Sequence, residues 1–164
     1  MLTSEAFKRA AMKKHSLKSL MKDHTSKSVK ELMTQETMEK SIKESEFTEV
    51  LQEKRGYLLF RYGDKKVALM SDAIHDRMRL LISITRYSKL DAKVKDALMH
   101  SNFHLALDAR YAVSDDIVYA AFIHPLSSLT ADDFESALKQ VYNLAKIFGT
   151  SYNSGKLEFK NSSK

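Results

Sequence analysis

The chain has no cysteine and no tryptophan, one proline and four glycines in 164 residues. Absence of cysteine excludes a disulfide framework, a thiolate zinc site and a cysteine nucleophile together. Glycines at 56, 63, 149 and 155 are too scattered to build a phosphate-cradling loop. The longest unbroken apolar run, residues 117–123, is far below the roughly 20 residues a membrane-spanning helix needs. No Gly-x-Ser-x-Gly element or other nucleophile setting occurs. These absences read as a soluble, non-enzymatic protein with no catalytic, cofactor or metal residues; absence of cysteine fits any compartment, and the expected location is cytoplasmic. A chain of this length supports one domain with its own core.

What is present is unevenly spread. Residues 1–30 hold eight Lys or Arg against Glu5 and Asp23, which accounts for the whole net charge of +6, and the remainder is neutral. Residues 1–29 therefore read as a basic arm carrying Lys8, Arg9, Lys13, Lys14, Lys18 and Lys22, with Phe7, Leu17, Leu20 and Met21 at helical spacings. A solvated tail, a nucleic-acid backbone binder, an anionic membrane binder and a targeting segment all fit that pattern. The body spans 30–149, and 150–164 is a polar tail.

Spacing over residues 29–54 predicts helix throughout, stopped by Gly56. "YLLFRY" (57–62) and "VALM" (67–70) flank hairpin residues Gly63 and Asp64. "RMRLLISITRY" (77–87) alternates as a strand with one wet face, and a short helix starts at Asp91 and ends near Asn102. Alternation over 103–113 and the apolar run at 117–124 predict a second hairpin turning at Asp115 and Asp116. Pro125 ends that pair. Thr130 caps a last helix whose stripe is Phe134, Ala137, Leu138, Val141, Ala145 and Phe148, closed by Gly149. The expected fold is α+β, a twisted antiparallel sheet of about five strands in the order α-βββ-α-ββ-α.

The closing segment, with Ile123, Pro125, Leu126, Leu129, Thr130, Phe134, Ala137 and Leu138 after the Asp115–Asp116 turn, resembles the YbjN-like family, which shares the type III secretion chaperone-like fold. The element order of residues 30–149 resembles that family's as well. The resemblance implies a binding or regulatory protein, often dimeric, and implies no reaction. Secretion chaperones are typically acidic, whereas this body is neutral and the basic arm has no counterpart in the family pattern.

Two surfaces stand out as candidate protein-binding sites. Arg77, Arg79, Ser83, Thr85, His104, Asp108 and Arg110 share a wet sheet face if the strands pair as read. Tyr142, Leu144 and Ile147 lie outside the stripe of the last helix and, with the two-sided apolar strand 117–123, point to a homodimer. Six histidines at 15, 24, 75, 100, 104 and 124 offer no ligand pair, because a helix-to-strand change is expected between His100 and His104. The adjacent carboxylates Asp115–Asp116 and Asp132–Asp133 are explained by a turn and a helix start.

Overall fold

The computed structural model describes residues 31–150. The arm residues Lys8, Arg9, Lys13, Lys14, Lys18 and Lys22, and the C-terminal tail, lie outside the described residues. The compact unit that begins at Leu32 opens with helix α1 (Gln35–Glu44). Strands β1 (Thr48–Lys54), β2 (Tyr57–Tyr62), β3 (Lys65–Asp72) and β4 (Arg77–Arg86) follow as a meander. Helix α2 (Ala92–His104), strands β5 (Arg110–Ser114) and β6 (Ile117–His124), and helix α3 (Ala131–Ile147) complete it. The fold is α+β, with one open antiparallel sheet ordered β1-β2-β3-β4-β6-β5.

The sheet has a sixth strand where the spacing predicts helix. Segment 48–54 pairs with β2 through the two-residue turn Arg55–Gly56, with Gly56 at φ 72. A positive-φ glycine stops a helix and turns a hairpin equally well. A bulge near Leu51 puts Val50 and Leu51 out of alternation, so the period of two is erased at that point. Thr48 ends α1 instead, its hydroxyl donating to the Ile42 and Ser45 carbonyls.

The strand expected over 103–113 is shortened from its front. Helix α2 continues to His104, and only Arg110–Ser114 pairs with β6. Phe103, Leu105 and Leu107 alternate in sequence, yet all three are exposed.

Packing is one-sided. Leu58 and Phe60 of β2, Val67 and Leu69 of β3, Met78, Leu80 and Ile82 of β4, and Val118, Ala120 and Phe122 of β6 face the core. Met38 and Ile42 of α1 and the α3 stripe of Phe134, Ala137, Leu138, Val141 and Ala145 close over them. The stripe follows the sequence reading with one correction: Leu144 belongs to it, at 3% exposure. Thr130 caps α3 in a capping box with Asp133, whose carboxylate accepts from the Thr130 N–H at 3.2 Å. Pro125 ends β6 as expected, and Gly149 takes φ 81 after the helix.

Two aspartates lock the ends of β4. Asp76 (φ 50) accepts from the Ser127 N–H at 2.7 Å and its hydroxyl at 2.6 Å, tying the β3–β4 turn to the 3-10 turn Leu126–Ser128. Asp116 (φ 63), in the β5–β6 turn beside Asp115 (φ 47), accepts from the Ser88 N–H and hydroxyl, both at 2.8 Å. Positive φ at both central residues is type I′ hairpin geometry, which aspartate tolerates better than most side chains. The serine bonds hold both carboxyls below the usual aspartate range.

Truncating Phe134 to alanine removes a large side chain from beneath the closing helix and is expected to destabilise the unit by about 3–5 kcal/mol. Denaturant titration checks it, and a loss below about 1 kcal/mol contradicts this packing. The aspartate locks set a pH dependence. Depressed folded-state values give stability that is complete above the unfolded aspartate value near ~3.9 and is lost as pH falls through the folded values. Urea titrations at pH 6 and pH 3 are therefore expected to show a smaller acid loss in the Asp76→Asn/Asp116→Asn double variant than in wild type; equal losses contradict the role of these two carboxylates.

Candidate protein-binding surfaces

Strand residues alternate across the sheet, so the partners of the core row face the opposite side. Register places Tyr57, Met70, Arg79 and Ile123 in one row across β2, β3, β4 and β6. A second row runs Leu59, Ala68, Leu81 and Ala121, ending at Arg110 of β5. None of these is in the core cluster, although Ala121 is itself buried, at 5% exposure. No described helix covers them: Met70, Arg79 and Arg110 are exposed, and Ile123 is 55% exposed. A sheet face that carries two apolar rows and faces outward is the unusual feature of this unit.

At one end of this face, where the β1–β2 and β3–β4 turns meet, lies a cleft of about 590 Å³. Arg55, Arg77 and Arg79 line it together with Met70 and Ile74. The one carboxylate in its lining, Asp72, is already occupied, accepting from the Ile74 and His75 N–H groups at 3.1 Å each and meeting His75 Nδ1 at 2.6 Å. That histidine contact, foremost, lowers the Asp72 pKa. Arg77 donates to the Asp76 carbonyl at 2.7 Å, and among the described residues none of the three arginines has a carboxylate partner.

The wet face is thus composed differently from the sequence expectation. Arg77, Arg79, Ser83 and Arg110 lie on it. Thr85 does not, because a bulge after Ser83 pairs it with the buried Val118. His104 ends α2 and Asp108 sits in the loop before β5, its N–H donating to Gln140 Oε1 at 2.8 Å. Arg110 turns its guanidinium to the Leu107 and Ala109 carbonyls and so holds that loop.

A second apolar surface forms the shoulder between α2 and β5. Leu98 and Ser101 face inward, which leaves Met99 69%, Phe103 84% and Leu107 72% exposed. Leu105 and Leu107 continue into a cleft of about 240 Å³ against α3, where Ile147 lies half-buried. Of the three α3 residues singled out from the sequence, Ile147 and the buried Leu144 line this cleft, and Tyr142 does not. Tyr142 instead packs edge-on against Tyr62 at 5.3 Å and donates to Asp64 at 2.9 Å, which raises its pKa. Leu144 is in the core, its carbonyl accepting from the Tyr111 hydroxyl at 2.8 Å. Sequence reading missed the shoulder because alternation over 103–113 hid the helical spacing of Met99 and Phe103.

Strand β5 is an edge, and α2 protects half of it. The Asn102 amide donates to the Tyr111 carbonyl at 3.1 Å and accepts from its N–H at 2.7 Å, imitating a neighbouring strand. Val113, two residues on, turns its backbone to the same side and is itself exposed.

His100 and His104 do share α2, contrary to the expected helix-to-strand break, and Asp96 lies 3.5 Å from His100. Among the described residues no three such side chains are placed to hold a metal. Nor is any described helix long and apolar enough to cross a membrane.

No family model and no curated protein matches the chain. Among solved structures, a chain of the HopA1–SchA chaperone–effector complex is similar at a TM-score of 0.51 and 10% identity, over 66% of this chain and 84% of that one. A chain of the ExsC–ExsE complex is similar at a TM-score of 0.45 and 17% identity, over 63% and 74%. The chain shares the fold of that chain of the HopA1–SchA complex.

Replacing Asn102 by alanine is expected to bare the Tyr111 backbone and make the β5 edge adhesive. Light scattering at tens of micromolar, about the range in which weak edge contacts form, should rise for Asn102→Ala above wild type, with far-UV circular dichroism retained. Unchanged scattering contradicts the protective role.

Proposed function

We propose that this protein is a non-enzymatic, chaperone-like binding domain that holds segments of other proteins on the outer face of its sheet. The observation that carries the reading is the pair of outward apolar rows, Tyr57–Met70–Ile123 and Leu59–Leu81–Ala121, on a side that no described helix covers. Met70 and Ile123 are exposed in them and Tyr57, Leu59 and Leu81 half-exposed, which a lone domain gains nothing by and a binding surface requires. The shared fold with a chain of a chaperone–effector complex supports the same reading. Membership close to the YbjN-like family is part of the proposal, supported by the Pro125–Leu126, Leu129–Thr130, Phe134 and Ala137–Leu138 pattern. The added strand β1 departs from that family's element order.

Self-association belongs to the proposal too, and the exposed side chains favour the shoulder over the outer helix face first expected. Met99, Phe103, Leu107 and Ile147 present a surface that a second copy would cover in a symmetric pair. It lies on α2, the loop before β5 and α3, and touches the outer face only where Arg110 donates to the Leu107 carbonyl, so a dimer leaves Met70, Arg79 and Ile123 open.

Site-specific photocrosslinking tests the binding reading. A photoreactive residue at position 123 of the full chain, activated in producing cells, should yield protein adducts identifiable by mass spectrometry. Nucleic-acid adducts, or none, would overturn it. Sedimentation velocity tests the pairing: wild type is expected to dimerise at tens of micromolar, on the scale of modest interfaces, and Phe103→Glu/Leu107→Glu to remain a folded monomer. A monomeric wild type removes the dimer.

A further inference from the structure

We infer that the segment held on the outer face is acidic, with apolar side chains interleaved among its carboxylates, and that Arg55, Arg77 and Arg79 select it. The inference rests on the protein-binding reading and adds the chemistry of the partner.

The argument starts from unmatched charge. Three guanidinium groups line the cleft at the β1–β2 and β3–β4 turns, and Asp72, the only carboxylate lining it, is taken up by His75 and two backbone N–H groups. Elsewhere on this face an arginine does have its partner: Arg61 meets Glu49 at 2.9 Å across the β1–β2 pair. Arg110, at the far end of the second row, is held by the Leu107 and Ala109 carbonyls. Planar guanidinium groups bind carboxylates with two parallel hydrogen bonds, which an isolated lysine does not.

The apolar neighbours identify the rest of the partner. Met70 stands beside Arg79 in its row, Ile123 lies on the other side, and Ile74, 91% exposed, borders the cleft. Charge and aliphatic surface thus alternate at the spacing of adjacent strands, about 5 Å. An extended segment whose every second residue, the set that shares one face, is in turn a carboxylate and a branched side chain satisfies both. A single-stranded nucleic acid satisfies the charge but finds a single aromatic in that row, Tyr57, where successive bases need a series of stacking platforms. The +6 of the chain resides in residues 1–30, so this selectivity comes from placement in a neutral body and not from bulk charge.

Fluorescence anisotropy on the full chain tests the inference with three labelled probes: a 12-residue peptide repeating Glu-Glu-Leu-Val, which shows carboxylates and apolar side chains in turn on each face when extended, the same peptide with Gln for Glu, and a 20-nucleotide oligo-dT. The acidic peptide is expected to bind at least tenfold more tightly than the Gln peptide. Arg77→Glu/Arg79→Glu should weaken it at least tenfold, and Ile123→Ser at least threefold, with circular dichroism unchanged. Because the basic arm is intact in every variant, a loss in the double variant reports the sheet face alone. Equal affinity for the Gln peptide, or less than a twofold effect of the arginine variant, overturns the inference. So does oligo-dT binding that is tighter than the peptide's and is abolished by the same variant. If the photocrosslinks at position 123 are to protein while the acidic peptide fails here, the binding reading stands and the partner chemistry assigned to it falls.

Discussion

One long helix can cover only one face of this sheet, and the remaining properties of the surface follow from that limit. Six strands at nearly 5 Å spacing make a sheet roughly 25 Å wide. The 17 residues of α3 extend about the same distance, so the helix crosses the sheet once. Its stripe from Phe134 to Ala145 closes over the core face, with the row of Leu58, Leu69, Leu80 and Phe122 and, beside it, Phe60 and Val67, and α1 adds Met38 and Ile42. Nothing described is left to cover the opposite row. Residues there must meet water or another molecule.

The composition of that opposite face argues for another molecule. A face built only for water alternates cleanly with polar side chains, as Arg77, Arg79 and Ser83 do along β4. Leu81 of β4 itself, Leu59 of β2 and Ile123 of β6 break the rule, and register joins them with Ala68, Met70 and Ala121 into two rows. The edges are handled differently. Strand β1 carries Glu49, Glu53 and Lys54, and β5 is short and half-covered by Asn102, both ordinary ways of discouraging uncontrolled strand addition. Binding is thereby directed to the face and the α2 shoulder.

Most of the architecture is legible in the sequence, because the strong signals are local. The capped stripe of α3, the alternation of β4, the Asp115–Asp116 turn and the stop at Pro125 each depend on a few neighbouring residues, and each reappears in the structure. The failures arise where one signal serves two structures. Gly56 at φ 72 reads as a helix stop and acts as a hairpin turn, while the bulge at Leu51 removes the alternation that would have decided between them. Residues 103–107 alternate like a strand although they end a helix and form a loop, since alternation carries no information about whether a partner strand is present. The outer face was only half visible for the same reason. Arg77, Arg79 and Arg110 could be read from their strands, but their grouping with Met70 and Ile123 depends on register between strands distant in sequence.

The central claim, that the sheet is buried on one side and open on the other, is tested most directly by solvent paramagnetic relaxation of methyl groups in the full chain. With a soluble gadolinium chelate, the methyls of Met70, Leu81 and Ile123 are expected to relax strongly. Those of Met78, Leu80 and Val118, on the same strands and the other face, should be protected. Protection of both sets alike would mean that the outer face is covered in the free protein, and would contradict the account.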